Sequence, residues 1–300
     1  LKVLKEGTRM NKCKGYSKML FLAVLVLLGT FVTGGASAEI ICYDTQPPSN
    51  PVAVSLGAAA PFGVFGGAAG MTNQGTSTVI NGYIGTTAAS TLITGFHDTG
   101  GNVYTETPLN IGTVNGTVYT ATAPPGSVPG VTAAAAALDA QTAFDNLSPA
   151  ALPGGIDVSL FGGGAGELGG RTLLPGIYKS APGSYLISLG DLTLDAGGDA
   201  NAVWVFQMAS SLTVGIAGPT GARSVNLING AQAKNVFWQV GSAATINGAG
   251  GGIVAGTIIA SAGATFSTAG NTVITTLNGR ALGLNASVTM VNTVINVPAP

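Results

Sequence analysis

The sequence predicts an all-β-dominated protein, a glycine-rich β-solenoid carrying a single helix, and three observations lead there. Apolar pieces of about three to six residues recur at roughly ten-residue steps between Gly, Asn and Pro turns, a rhythm that suits a sandwich, a barrel or a β-helix. The stretch from Asn201-Ala202-Val203-Trp204 to Ser211-Leu212-Thr213-Val214 is echoed from Asn235-Val236-Phe237-Trp238 to Ala244-Thr245-Ile246, as stacked coils would produce. Triplets such as Leu192-Thr193-Leu194 place alternate side chains inside a narrow core. Echo and triplets together favour a solenoid over a sandwich, although no repeat is strict.

Composition agrees. Of 300 residues 47 are Gly, 46% are hydrophobic and only 8% are charged. That much apolar material can bury a large core, which argues against disorder despite the glycine. Globular proteins carry about a quarter charged residues, so this surface must be built from Thr, Ser, Asn, Gly and Ala. The net charge of −1 hides an asymmetry: Lys2, Lys5, Arg9, Lys12, Lys14 and Lys18 precede residue 20, whereas from residue 39 onward five basic residues face eleven acidic ones. Phosphate binding needs clustered Lys and Arg, so nucleic acid is not an expected partner.

Taken in order, the basic start, the apolar run Met19 to Leu28 and the small residues Ala36-Ser37-Ala38 read as a secretory signal peptide over residues 1–38. The run is too short for a membrane-spanning helix, which needs about 20 apolar residues, so a secreted, extracellular chain off the membrane is expected. Retention of the segment would instead place the protein at the cell surface. Cys42 is the one cysteine after that cleavage point, which leaves no internal disulfide and no cysteine metal cluster. Residues 39–51, with Pro47-Pro48, read as a flexible leader, and residues 52–300 as the domain.

Early strands are expected at Phe62 to Phe65, Val79-Ile80, Tyr83-Ile84, Leu92-Ile93 and Val118-Tyr119. Thr132 to Leu147 reads TAAAAALDAQTAFDNL and predicts the helix, residues 132–147, opened near Pro129 and Thr132 and stopped by Ser148-Pro149. Its large apolar residues are few (Leu138, Phe144, Leu147), so it must lie on a larger surface. Later strands are expected at Leu192 to Leu194, Val203 to Met208, Leu212 to Val214, Val225 to Ile228, Val236 to Val240, Ile253-Val254, Ile258-Ile259, Ala264 to Phe266, Val273-Ile274, Ala281-Leu282 and Val288 to Met290.

The block Leu192 to Gln207 (LTLDAGGDANAVWVFQ), the block Val225 to Ser242 (VNLINGAQAKNVFWQVGS) and, in the same order, Phe62 to Ala68, Ile93-Thr94-Gly95-Phe96, Leu173 to Tyr178 and Asn278 to Leu282 carry a family resemblance. Across roughly residues 55–296 the chain resembles the bacterial, archaeal and fungal ice-binding protein family of the DUF3494 type. The resemblance implies a right-handed discontinuous β-helix of triangular section, with the helix packed along one side and early strands joining coils made late in the chain. The sequence departs from the family pattern at Tyr83, where an acidic residue is common, and at Thr86-Thr87-Ala88, which lacks the expected Pro-Gly.

The resemblance implies a non-catalytic antifreeze protein that adsorbs to ice through a flat face and needs no cofactor or metal. Such a face holds water in an ice-like layer, and a solenoid offers a grid of about 6.6 Å along strands by about 4.8 Å between coils. Threonine suits it, being stiff at χ1 and carrying both methyl and hydroxyl. The family's Thr-(Ala/Gly)-x-(Thr/Asn) pattern matches Thr268-Ala269-Gly270-Asn271, with Ser242-Ala243-Ala244-Thr245 close to it, so Thr268, Asn271, Ser242 and Thr245 are candidates. Thr265, Thr289, Thr76 and Thr86 are further candidates from late and early coils.

The alternative of a different class is a cell-surface or matrix adhesin that binds an extracellular polysaccharide through the same neutral faces. For an enzyme, Asp191, Asp195 and Asp199 form the one acidic cluster, and turn capping accounts for it better than Ca²⁺. The single histidine, His97, reads as a surface residue, Arg280 as a turn brace, and Trp204 and Trp238 as core rather than sugar platform. Tyr83, Tyr104 and Tyr119 could form a sugar-binding strip, though their spacing does not demand it. A monomer is expected.

Overall fold

Three parallel ladders wind around one another to make a β-solenoid. The structure, a computed structural model, describes residues 50–121, 131–161, 166–267 and 272–299, all within the compact unit Gln46–Pro300. The expected signal peptide and most of the leader lie outside the described residues. Asn50, at the leader's end, is tied down: its side chain accepts from the Val203 amide at 2.8 Å and donates to the Asn201 carbonyl at 3.2 Å.

The first ladder stacks Gly176–Lys179, Trp204–Met208, Val236–Val240, the second half of Ile253–Ala260, the second half of Thr275–Gly283, Phe62–Gly66, Tyr83–Gly85 and Val118–Tyr119. The second stacks seven short strands in the order Tyr185–Ile187, Leu212–Val214, Ala244–Ile246, Ala264–Phe266, Val288–Met290, Met71–Asn73, Ile93–Thr94. The third face begins with Thr172–Leu173, Leu192–Asp195 and Val225–Ile228 and continues through the first halves of the two long strands to Thr293–Asn296, Thr78–Asn81, Gly112–Val114 and Phe96–Asp98. Every ladder joins late strands to early ones, with Ala281 beside Val64, Thr289 beside Thr72 and Asn296 beside Asn81. The solenoid is therefore discontinuous in sequence while continuous in space.

The two long strands turn a corner of the triangle without leaving the ladder. Gly256 makes the turn with φ +110°, and a Cβ on the adjacent Gly279 would lie 1.8 Å from the Gly256 carbonyl oxygen, so two coils meet there backbone to backbone. The predicted strand at Val273-Ile274 is not formed. Those residues are exposed and the strand starts at Thr275, because its in–out alternation begins there.

Alternation fills the core. Tyr178, Phe206, Trp238, Ile258, Ala281, Val64 and Ile84 stand in register on the inner side of the first ladder, and Phe206 stacks on Trp238 at 4.1 Å between ring centroids. The echo that aligned Trp204 with Trp238 is out of register by two residues: Trp204 sits beside Val236. A two-residue slip keeps both indoles pointing inward.

The outer side of the first ladder is also apolar, with Val205, Phe237, Ile259, Leu282 and Phe65 all buried under the helix Val131–Asn146. The helix reaches them with Ala133, Ala136, Ala140 and Ala143, one stripe at three- and four-residue spacing with no exposed surface, while Leu138 points outward at 67% exposure. Small residues let the helix axis lie close to the sheet. Asp139 anchors it by accepting the Ala58 amide at 2.6 Å.

Candidate functional site

Among the described residues the helix covers the first face and leaves the second open. Its strands share an in–out–in pattern: Leu212 and Val214, Ala244 and Ile246, Ala264 and Phe266, Val288 and Met290 are all buried, and one residue per coil faces out. Read up the ladder in register, the outward residues are Leu186, Thr213, Thr245, Thr265, Thr289, Thr72 and Thr94.

Six threonines thus form one column, about 24 Å long at the usual spacing between strands. Their β-branched side chains are stiff, and hydroxyl bonds along the column fix them further. Thr94 donates to Thr72 at 3.1 Å and Thr289 to Thr265 at 3.2 Å. Beside the column run small residues, among them Ser184, Ser211, Ala243, Gly263 and Ser287, and Ser184 and Ser211 share a hydroxyl hydrogen bond of 3.1 Å. No member of the column is ionisable, so its hydration is set by alternating methyl and hydroxyl groups.

The family model described as ice-binding-like matches residues 65–296. The chain belongs to this ice-binding-like family. An ice-binding protein of Nostoc sp. (strain HG1) is 36% identical over 248 residues, covering 83% of this chain and 75% of the relative. One from Leucosporidium sp. (strain AY30) is 30% identical over 256 residues, covering 83% and 86%. Among solved structures, the DUF3494 domain of Shewanella frigidimarina ice-binding protein 1 superposes with a TM-score of 0.64 at 25% identity, over 82% of this chain and 98% of that one. The ice-binding protein of Antarctomyces psychrotrophicus gives 0.60 at 29% identity, over 83% and 100%.

Within this ice-binding-like domain, Thr245, Thr265 and Thr289 stand consecutively in the column. Ser242 is exposed at the corner that leads into the Thr245 strand, beside the column rather than in it. Thr76 is exposed but off the column, in a turn where its amide donates to Asn292 Oδ1 at 3.1 Å. Thr86 is not a surface residue. It is fully buried, and its hydroxyl donates to the Gly67 carbonyl at 2.7 Å, because the loop that lacks the family's Pro-Gly folds in against Gly67. Thr268 and Asn271 lie outside the described residues. Thr72, Thr94 and Thr213 stand in the column without carrying the four-residue Thr-(Ala/Gly)-x-(Thr/Asn) pattern. The signal that finds them is the apolar–Thr–apolar triplet itself.

The other singled-out residues serve the scaffold. Asp191, Asp195 and Asp199 each accept a backbone N–H at 2.8 Å, from Ser224, Gly197 and Asn201. The Gly197 amide, and then the Asn229 side chain, hold the Asp195 carboxyl below the ordinary range. No group of three or more His, Cys, Asp or Glu gathers as a metal site among the described residues. Trp204 and Trp238 are fully buried and donate to the Leu173 and Ala255 carbonyls. Tyr83 and Tyr119 pack against each other and around Phe62, and Tyr104 is buried, so the three make no exposed strip. His97 Nδ1 lies 2.7 Å from Glu106 Oε1. Arg280 is buried, and burial lowers its pKa to about 10. It donates to the carbonyls of Ala60 and Pro298 at 2.6 and 3.3 Å, clamping the early coils to the end of the chain.

Proposed function

We propose that this chain is a non-catalytic ice-binding protein that adsorbs to ice through the threonine column of its second face. The observation that carries the reading is the in-register alignment of Thr213, Thr245, Thr265, Thr289, Thr72 and Thr94 on an uncharged face that the helix leaves open. Methyl groups at a fixed repeat pack against cages of water, and the hydroxyls between them tie that layer down. A layer ordered before contact merges with the crystal at little further entropic cost. Adsorbed molecules pin the growth front, which must bulge between them, and the curvature lowers the local freezing point or stops recrystallisation.

The action makes and breaks no covalent bond. Export through the basic, apolar segment at residues 1–38 belongs to the same proposal, since the ice that threatens a cell forms first outside it, and so does action as a monomer.

The test is ice-crystal shaping and recrystallisation inhibition by the parent and by Thr265→Tyr, a bulky side chain at the centre of the column. Shaping by the parent that is lost in a variant with unchanged circular dichroism is expected. A folded parent that neither shapes crystals nor slows recrystallisation would sink the proposal, and equal activity of Thr265→Tyr would remove the column from it.

A further inference from the structure

A second regular array lies on the third face, and the threonine column does not account for it. Four coils there carry one local pattern: Thr276-Leu277-Asn278, Val294-Ile295-Asn296, Val79-Ile80-Asn81 and Thr113-Val114-Asn115. The central residue of each is fully buried and the flanking two face outward. Parallel register stacks Thr276, Val294, Val79 and Thr113 into one column, and Asn278, Asn296, Asn81 and Asn115 into another two residues along the strands.

The asparagines form a continuous amide ladder. Asn296 Nδ2 donates to Asn278 Oδ1 at 2.9 Å, Asn81 to Asn296 at 2.7 Å and Asn115 to Asn81 at 2.7 Å. A side-chain amide has two donor hydrogens and a two-lone-pair acceptor, so Asn81 and Asn296 each keep one N–H and one lone pair for solvent, in an orientation that the ladder fixes. The neighbouring column offers methyl groups from Val294, Val79, Thr276 and Thr113 at the same repeat.

We propose that this two-by-four grid is a second ice-contacting face. The ligand is a plane of crystalline water rather than a charged or apolar partner, because the eight outward residues are all neutral and alternate fixed hydrogen-bonding groups with methyls, the grid being bordered by Ile253 beside Thr276 and by His97, paired with Glu106, beside Thr113. The grid has the same repeat as the threonine column but lies on another side of the triangle, so the two faces meet ice in different orientations. The choice of ice as ligand rests on the reading of the threonine column, whereas the existence of a separate site does not.

The experiment is fluorescent labelling of single ice crystals by four proteins: the parent, Thr265→Tyr with Thr289→Tyr, Val79→Tyr with Val294→Tyr, and all four changes together. Two sets of stained planes are expected for the parent, one surviving in each double variant and none in the quadruple variant. Loss of all staining in the folded threonine-column variant, with staining by the parent intact, overturns the second face and leaves the proposed function standing. Absence of staining by the parent removes both. If Val79→Tyr does not fold, Thr276→Tyr reads the same grid from another coil. A parent dimer that becomes a monomer on Val294→Tyr, or parent binding to insoluble cellulose or chitin that Val294→Tyr abolishes, identifies another occupant and overturns the proposal.

Discussion

Replacing Ala140 by Leu tests how the helix is held and whether that matters to the uncovered faces. Ala140 is fully buried in the same cluster as Val205, Phe237, Ile259 and Leu282, within a stripe of alanines that sets the distance between helix and sheet. A leucine there adds three carbons where no space exists, and overpacking of this kind costs about 1–3 kcal/mol. In a domain of this size each kcal/mol lowers the melting temperature by about 2–4 °C. The product is a drop of roughly 2–12 °C, measured by calorimetry or circular dichroism.

Recrystallisation inhibition is measured near the freezing point, where the variant remains folded, so its activity should equal the parent's. Leu138→Ala is the control: this side chain stands outward on the same helix, and its loss should change stability by no more than about 0.5 kcal/mol. Unchanged melting of Ala140→Leu, or a large drop for Leu138→Ala, would mean that the helix docks by another surface. Loss of inhibition by a folded Ala140→Leu would bring the helix side into ice contact and refute the division of labour among the faces.

Trp238→Ala removes a fully buried indole that stacks on Phe206 and donates to the Ala255 carbonyl at 3.0 Å, and should cost about 3–5 kcal/mol, read as a lower urea midpoint at unchanged slope. Asp195 titrates below the ordinary carboxylate range because the Gly197 amide, and then Asn229, favour its charged form. A folded-state pKa below the unfolded one contributes stability that is present above the unfolded value and lost as pH falls through the folded one. The melting temperature of Asp195→Asn should therefore fall less than the parent's on acidification from about pH 5 to about pH 2, and parallel curves would contradict this.

Local patterns were enough to locate most elements. Alternation within Leu212-Thr213-Val214 or Val288-Thr289-Met290 already fixes which side chains enter a narrow core, and an alanine run without Gly or Pro has no good alternative to a helix. Val273-Ile274 misleads because two adjacent apolar residues without alternation say nothing of which faces inward, and both are exposed ahead of the strand that starts at Thr275. Thr86 misleads for a related reason: a threonine in a loop looks alike whether or not the chain folds over it, and here Gly67 supplies a carbonyl for its hydroxyl.

The sequence by itself determined a neutral surface, a solenoid with one helix, and a family resemblance strong enough to suggest what the faces do. Tertiary structure alone decided which threonines stand together. Thr289 and Thr72 are neighbours in the column, and Asn296 and Asn81 in the amide ladder, although they lie more than two hundred positions apart in the chain. Parallel register explains the gap in legibility. Slipping a strand by two residues leaves every side chain on its own side of the sheet, as the misaligned Trp204 and Trp238 illustrate, so alternation cannot choose among registers. Nor does any local pattern announce the closure of the early coils onto the late ones, where Arg280 is clamped between Ala60 and Pro298.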